Sequence, residues 1–548
     1  MMNKRHHLTG AASIALCAML ALPVFAQQTR PQYGGELVLT GQLDKTMFPG
    51  RNTDAQGMDV YLNSCETLVE LTVDREIRPL LAESWTMSPD KKTVAFKLRQ
   101  GVQFHDGTPF NAEAVATVFN EALAKKFLYV SLLEGLQKVV ADNEYQVSFQ
   151  MSAPSAALIP NLAYRTMCIF SPTAYKAKGE EGLGSNIIGT GPFIQTEYTK
   201  GVYALFKRND KYWQKGKPYL DSIRILFVPD GTTRLAMLES GDVDRAAGVP
   251  SFEIPRLTKD KSIALRTIPS LQQHYVVINN LVKPLDDPRV RQALNYATDK
   301  AGIVKAVFAG TGATLSRAPT LSPGVFGFAD MREPGKDTIF PFDLAKARGL
   351  LKDAGYEDRN NDGFVEDAQG KVLSLKLYAR KAGTGDYEIA QLIKTFLEKL
   401  GIKIELIVLE SATFSAALSV GPKEAKYDLA VLSWTIPTAD PDEPMMYMTH
   451  TKAWKPAGAN RMFFSNPETD RLAELAHAES DPAKRAAIVR QWMAELLKLA
   501  PVIYLPTLNL TDATRTYVHD GVYLPANVYD GTAAWIDQAE RKRQGISR

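Results

Sequence analysis

The chain reads as an α/β protein of more than one lobe, and three observations predict this. Strand and helix patterns alternate through its second half. Leu373, Leu375 and Leu377 alternate as a strand, Asp386 to Leu400 repeats at helical spacing, and Ile402 to Leu409 and Tyr427 to Trp434 return to strand. That is the grammar of a mixed or parallel sheet with helices on its faces. Helices are also announced by one recurring device, at Asp287-Pro288, Asn466-Pro467 and Asp481-Pro482. The Asp or Asn caps the helix, and proline at the first helical position forfeits no hydrogen bond. Finally, 548 residues exceed what one core organises, so two or three domains are expected.

The composition, 45% hydrophobic and 23% charged, is ordinary for a soluble globular protein. The first 26 residues stand apart. Lys4 and Arg5 form a basic start, Leu8 to Leu22 is an apolar run, and Val24-Phe25-Ala26 offers small residues to signal peptidase. This pattern predicts a secretory signal peptide, residues 1–26, cleaved after Ala26. The run is shorter than the roughly 20 apolar residues a membrane anchor needs. Leu16 before Cys17 is too large for a lipoprotein signal. Cleavage leaves 62 basic against 61 acidic residues, a balance that argues against nucleic acid or an anionic membrane surface as partner. The mature chain keeps Cys65 and Cys168. Export permits them to pair, but spacing alone leaves a disulfide and two buried thiols equally open.

In chain order, Gly34 to Leu39 reads as the first strand and Met58 to Glu70 as a helix. Thr93 to Arg99 alternates, with Val94, Phe96 and Leu98 on one face, so it is a half-buried strand. Asn111 caps a helix in which Val115, Val118, Phe119 and Ala122 share a face, and Tyr145 to Met151 alternates as another strand. Gly189-Thr190-Gly191 completes no phosphate-binding fingerprint and reads as a tight turn. Ile223 to Val228 is a covered strand, Thr232 to Ser240 a helix stopped by Gly241, and His274 to Asn280 a buried strand. Asp343 to Ala354 is a helix closed by Gly355, and Pro501 to Leu508 a strand that crosses back to the first lobe.

Several of these stretches are specific as strings: Pro79-Leu80-Leu81-Ala82-Glu83-Ser84-Trp85, Phe96-Lys97-Leu98-Arg99, Phe104-His105-Asp106-Gly107-Thr108, Gly189-Thr190-Gly191-Pro192-Phe193, Gly241-Asp242-Val243-Asp244 and Asp286 to Ala297. Together they resemble the family 5 extracellular solute-binding proteins, the peptide- and nickel-binding group that feeds ABC importers. The resemblance runs from about Gly34 to Leu505. It implies a two-lobed periplasmic binding protein, class II-like, with an extra insert lobe and a hinge of two crossing strands. Residues 27–61, 187–272 and 508–548 then form a first large lobe, 62–186 the insert lobe, and 273–507 the second large lobe. The implied role is capture of a small solute, peptide or peptide-like by default, and delivery to the membrane subunits of an ABC permease. The implied protein is periplasmic, monomeric and not an enzyme, with no cofactor and no nucleic-acid partner.

Four residues are candidates for the ligand cleft. Trp434 ends a strand where the family places a pocket tryptophan, although an aromatic there is also ordinary core. Arg380 follows the strand Leu373 to Ala379 where dipeptide binders hold a ligand carboxylate. A guanidinium fork suits that task, but Lys381 beside it also fits a solvated basic pair. Tyr275, with His274, lies on the first crossing strand. Peptide binders place an aspartate about three residues after the tryptophan to hold the peptide amine, but Ile436 and Pro437 stand there. An ammonium is costly to bury unpaired, so the peptide reading weakens unless Asp440 substitutes. Asp358, Asn360, Asp362 and Gly363 match the first half of a calcium loop, but the twelfth position is Gln369. The loop therefore reads as an Asx-rich turn, and no metal is assigned. The competing class, an exported hydrolase, has no Gly-x-Ser-x-Gly, no His-Glu-x-x-His and no phosphate loop in the sequence. A ligand sensor or chaperone on the same fold is a third reading.

Overall fold

Adjacent strands assemble into one long mixed sheet because two of them are unusually extended. In this computed structural model, residues 30–41, 46–52, 62–74, 76–381, 385–436, 438–524 and 528–547 are described. The signal-peptide reading and Pro437 lie outside that set. The strands Ile263–Ile278 and Val502–Arg515 pair antiparallel along much of their length. At one end Val502–Arg515 also pairs with Arg245–Ala246, which leads through Glu36–Gly41 and Ser222–Phe227 to Tyr203–Arg208 and Phe193–Thr199. At the other end Ile263–Ile278 pairs with Leu429–Thr435, which continues through Ser374–Arg380 to Lys403–Leu409. The ladder between the long strands shifts register between Pro269 and Gln273, and again before Tyr275. Prolines in both strands, Pro269 and Pro506, lack the N–H a regular ladder needs.

The second-lobe strands alternate with helices as their sequence predicts. Ser374–Arg380 runs parallel to both Lys403–Leu409 and Leu429–Thr435. The helices Pro288–Ala297, Pro467–Ala478 and Pro482–Leu499 are capped by Asp287, Asn466 and Asp481. One buried cluster joins these elements from Leu271 to Leu505. A second cluster runs without interruption from Leu37 and Leu39 into the insert, where the order of the four-stranded sheet is Ala82–Met87, Thr93–Leu98, Gln146–Met151, Leu136–Asn143. Helix Ala112–Lys125, capped by the Asn111 side chain on Ala114 N at 2.9 Å, covers it, and Phe119 meets Phe149 at 4.9 Å between ring centroids. The four-stranded sheet and its helix therefore share one continuous core with the strands Glu36–Gly41 and Ser222–Phe227.

One predicted element is corrected. The helix expected over Met58 to Glu70 is shorter than predicted: up to residue 61 it lies outside the described residues, Leu62 is helical, and the chain then leaves the helix, with Val69–Leu71 a strand paired with Ile77–Pro79. Close backbone packing explains this. A Cβ on Gly189 would sit 2.2 Å from the Ser64 carbonyl oxygen, and one on Gly191 would sit 2.7 Å from that of Asn63. The glycine turn thus lies directly on residues 63–65, and Gly191 N and Phe193 N donate to Ser64 O and Asn63 O. Those carbonyls are committed between segments rather than along a helix.

Cys65 and Cys168 form a disulfide with Cα atoms 5.5 Å apart, which resolves the alternative left open by spacing. It ties two segments 103 residues apart inside the first buried cluster. Replacing both cysteines by alanine is expected to lower unfolding free energy by about 2–4 kcal/mol, mainly by freeing the unfolded chain. Urea denaturation of the oxidised protein against the double variant measures this, and equal midpoints would contradict it.

Candidate functional site

Where the two long strands break register, side chains from three neighbouring strands converge on a pocket. Gln273, His274 and Tyr275 come from the first crossing strand, Trp434 from its partner, and Val502, Tyr504 and Leu505 from the second crossing strand. Met448, Met462 and Ile436 close the sides, and Ser316, Thr320 and Thr449 add hydroxyls. The pocket is lined mainly by apolar atoms with a few hydroxyls at its sides, the character of a small-solute site.

Two of the four sequence candidates line it. Trp434 sits opposite Gln273 in the strand pairing and is half-buried. Its indole Nε1 donates to Glu443 Oε2 at 2.8 Å. Tyr275 is 7% exposed, and burial pushes its phenol up to about 12, so it stays protonated. The structure places the other two elsewhere. Arg380 donates through Nε to Asp386 Oδ2 at 2.5 Å, and Asp386 is buried. His274 Nε2 lies 3.3 Å from the other oxygen of the same carboxylate. Burial pushes the Asp386 carboxyl up, but the bonds from His274 and Arg380 outweigh it and hold it below the usual range. Arg380 thus neutralises an internal carboxylate under the pocket wall. Asp440 is fully buried and forms a two-pronged pair with Arg485, at 2.6 and 2.7 Å. A carboxylate so committed is not available to a ligand amine, which corrects the expectation that Asp440 replaces the missing aspartate.

Sequence reasoning missed two groups here. The guanidinium of Arg461 stands over the Trp434 ring, 5.6 Å from its centroid, and its charge reaches Tyr275. The hydrogen bond it makes is a long one, from Nη1 to Ala459 O at 3.4 Å. Glu443 is the other. Burial pushes its carboxyl up to about 8, the Trp434 N–H lowers it, and the Asp442 charge raises it. Asp442 in turn holds His477, whose Nδ1 lies 2.9 Å from its Oδ1. This acidic corner touches the insert. Ala156 N donates to His477 O at 2.8 Å, and Tyr447 donates to Ser131 O at 2.7 Å. No local sequence signal marked Arg461 or Glu443, because both act through strands and turns brought together only in the fold.

Comparison with known proteins gives concordant matches. A family model described as bacterial extracellular solute-binding proteins, family 5 Middle, matches residues 76–456. The chain is 29% identical over 516 residues to the glutathione-binding protein GsiB of Shigella flexneri, covering 93% of this chain and 95% of that protein. The GsiB of Escherichia coli strain K12 matches to the same extent. Among solved structures, HbpA2 from Haemophilus parasuis superposes with a TM-score of 0.80 at 25% identity, covering 92% of this chain and all of that one. The oligopeptide-binding protein AppA from Bacillus subtilis, in complex with a nonapeptide, gives 0.73 at 25% identity, covering 93% of this chain and all of that one.

Two measurements test this electrostatic layout. Removing one member of the buried pair, Asp440→Asn, is expected to destabilise by about 3–5 kcal/mol because it strands a buried guanidinium. Urea denaturation reads the loss. The acidic corner also predicts a pH slope. Glu443 is raised from 4.5 to about 8, so the stability it contributes is present below 4.5 and lost as pH rises through about 8. His477 is raised above 6.5 by the Asp442 hydrogen bond against burial, with the charges of Asp442 and Glu134 adding and that of Arg485 opposing. Its contribution is present below 6.5 and is also lost on the alkaline side. The melting temperature should fall from pH 5 to pH 9, and Glu443→Gln should flatten that fall. Identical slopes in wild type and variant would refute the assignment.

Proposed function

The chain belongs to the bacterial extracellular solute-binding proteins of family 5, and on that premise we propose that it captures a small carboxylate-bearing solute, peptide-like and of the glutathione type, in the pocket beside Trp434. The family's members are the solute-binding components of ABC transporters. We infer export to the periplasm and a single-copy protein that hands its ligand to permease subunits. The observation that carries the ligand class is the charge inventory around the Trp434 side of the pocket. Asp440 is spent on Arg485 and Glu443 is largely neutral at pH 7, whereas the Arg461 guanidinium, over the Trp434 ring, makes among the described residues a long hydrogen bond to a backbone carbonyl and no ion pair. A cationic amine finds no carboxylate there, while an anionic group finds a guanidinium. The flat indole supplies apolar area.

Among the described residues no helix is long and apolar enough to cross a membrane, which accords with the export reading. The mechanism follows from the strands. The solute rests against the second lobe, residues 273–507, on strands that also carry the first lobe. Closure is favoured only to the extent that solute binds the closed form more tightly than the open one. The resemblance of the chain to glutathione-binding proteins supports the class.

Isothermal titration of the mature protein with glutathione, free dipeptides and N-acetylated dipeptides tests this. Glutathione or acetylated peptides should bind, and blocking the amine should not weaken binding. Arg461→Ala should lower affinity about 30-fold or more, roughly 2 kcal/mol, whereas Arg380→Ala should act on stability instead. Tight binding of free peptides that acetylation abolishes would overturn the proposal.

A further inference from the structure

Three carboxylates converge in the loop that follows helix Leu344–Asp353. Asp358, Asp362 and Glu366 each offer an oxygen within 4.8 Å of the other two. Asp358 and Asp362 hold the first and fifth places of a calcium-type loop. Glu366 holds the ninth, and it arrives because the loop closes early. Glu357 and Glu366 exchange backbone hydrogen bonds in both directions, at 3.1 and 3.0 Å. Asn361 and Gly363 take φ of 63° and 91° to make the turn. Gly363 N then donates to Asp358 Oδ2 at 3.0 Å, and Asp362 N to Asn360 Oδ1 at 2.8 Å.

Glu366 is the informative residue. It is 2% exposed, and its Oε2 accepts from Arg359 N at 3.0 Å. Among the described residues its buried Oε1 has no hydrogen-bond partner, and neither has the buried Asp358 Oδ1. Lys352, a nearby cation along the chain, pairs with Glu357 instead, at 2.7 Å. Buried carboxylate oxygens without donors are costly, and a cation held by this cluster removes the cost.

We propose that this loop binds a calcium ion through the carboxylates of Asp358, Asp362 and Glu366, with the Asn360 amide oxygen and the Phe364 carbonyl at the third and seventh places. The donor set is all oxygen, with no imidazole or thiolate, so it suits a hard cation. Calcium accepts six to eight oxygens in irregular arrangements, and exposed Asp362 leaves room for water, whereas magnesium demands a tighter octahedron. Gln369, at the twelfth place, is not needed. Bound calcium fastens the loop onto the sheet. Val365 N donates to Gly401 O, and Leu373 N to Val365 O, both at 2.9 Å, immediately before the strand Ser374–Arg380. The ion is therefore structural for the outer edge of the second lobe and separate from the solute pocket.

The test uses the mature protein stripped on chelating resin, titrated with calcium chloride in a calorimeter and melted at each concentration. One site is expected, with a dissociation constant of about 10⁻⁴–10⁻³ M and a melting temperature that rises by a few degrees at saturation. Magnesium should bind more weakly. Glu366→Gln and Asp362→Asn should each abolish the heat and the shift. Asp362 is exposed, so its variant folds even if the buried one does not. No heat and no shift up to about 10 mM calcium would overturn the proposal, as would binding undiminished in Asp362→Asn.

Discussion

The pairing of the strands Ile263–Ile278 and Val502–Arg515 is the constraint on which the rest of the molecule depends. Each strand serves two sheets' worth of neighbours, one set at either end. Near the first-lobe end the pairing is pinned by a buried ion pair between Arg245 and Asp512, with Gly248 N donating to the same carboxylate at 3.2 Å. At the other end Tyr275, Val276 and Val277 pair with residues from 502 to 504 in the centre of the second buried cluster. Both ends are therefore stiff. The ladder is irregular only between Pro269 and Tyr275, so bending concentrates there. The pocket beside Trp434 opens at this same point, so on the proposed function what it holds is coupled to the angle between lobes.

Specificity near the pocket arises by subtraction. A reader counting charged residues would find Asp440, Arg380, Asp386, Glu443 and His274 within or near the cleft and expect several ligand contacts. The structure spends them on one another. The Asp440–Arg485 fork and the Arg380–Asp386–His274 group are closed pairs. Glu443 is turned neutral by burial and held by an indole N–H. On the proposed function, a ligand amine placed here would lose its water and gain no carboxylate, so selection would work by an absence as much as by attraction to Arg461.

Local chemistry made most of the fold legible in the sequence. Asp and Asn caps followed by proline located three helix starts to the residue, and alternation located the insert strand Thr93–Leu98 and the second-lobe strands. Prediction failed where a distant backbone decided the outcome. The apolar stretch before Glu70 has helical spacing, yet Gly189 and Gly191 press on it and claim its carbonyls. The site was less legible for the same reason. Trp434 and Tyr275 could be read from strand position, but whether Asp440 and Arg380 were free depended on Arg485 and Asp386. The Asp358 loop shows the point in miniature. Its first five places were visible, and its buried carboxylate was sought at the twelfth place because a bridge between residues 357 and 366 leaves no local mark.

Trp434 joins these threads, because one side chain both lines the pocket and holds the acidic corner. Its ring lines the pocket while its N–H holds Glu443, and the adjacent Asp442 holds His477, whose carbonyl receives Ala156 N from the insert. On the proposed function, a solute stacked on the ring would fix the indole and with it the Glu443 hydrogen bond, and so favour the arrangement in which Asp442 and His477 face the insert. The energy for closure then comes from contacts made only when the lobes meet, which is the sole way a ligand can shift such a balance. A protein that bound its solute equally well open and closed would give a permease nothing to read.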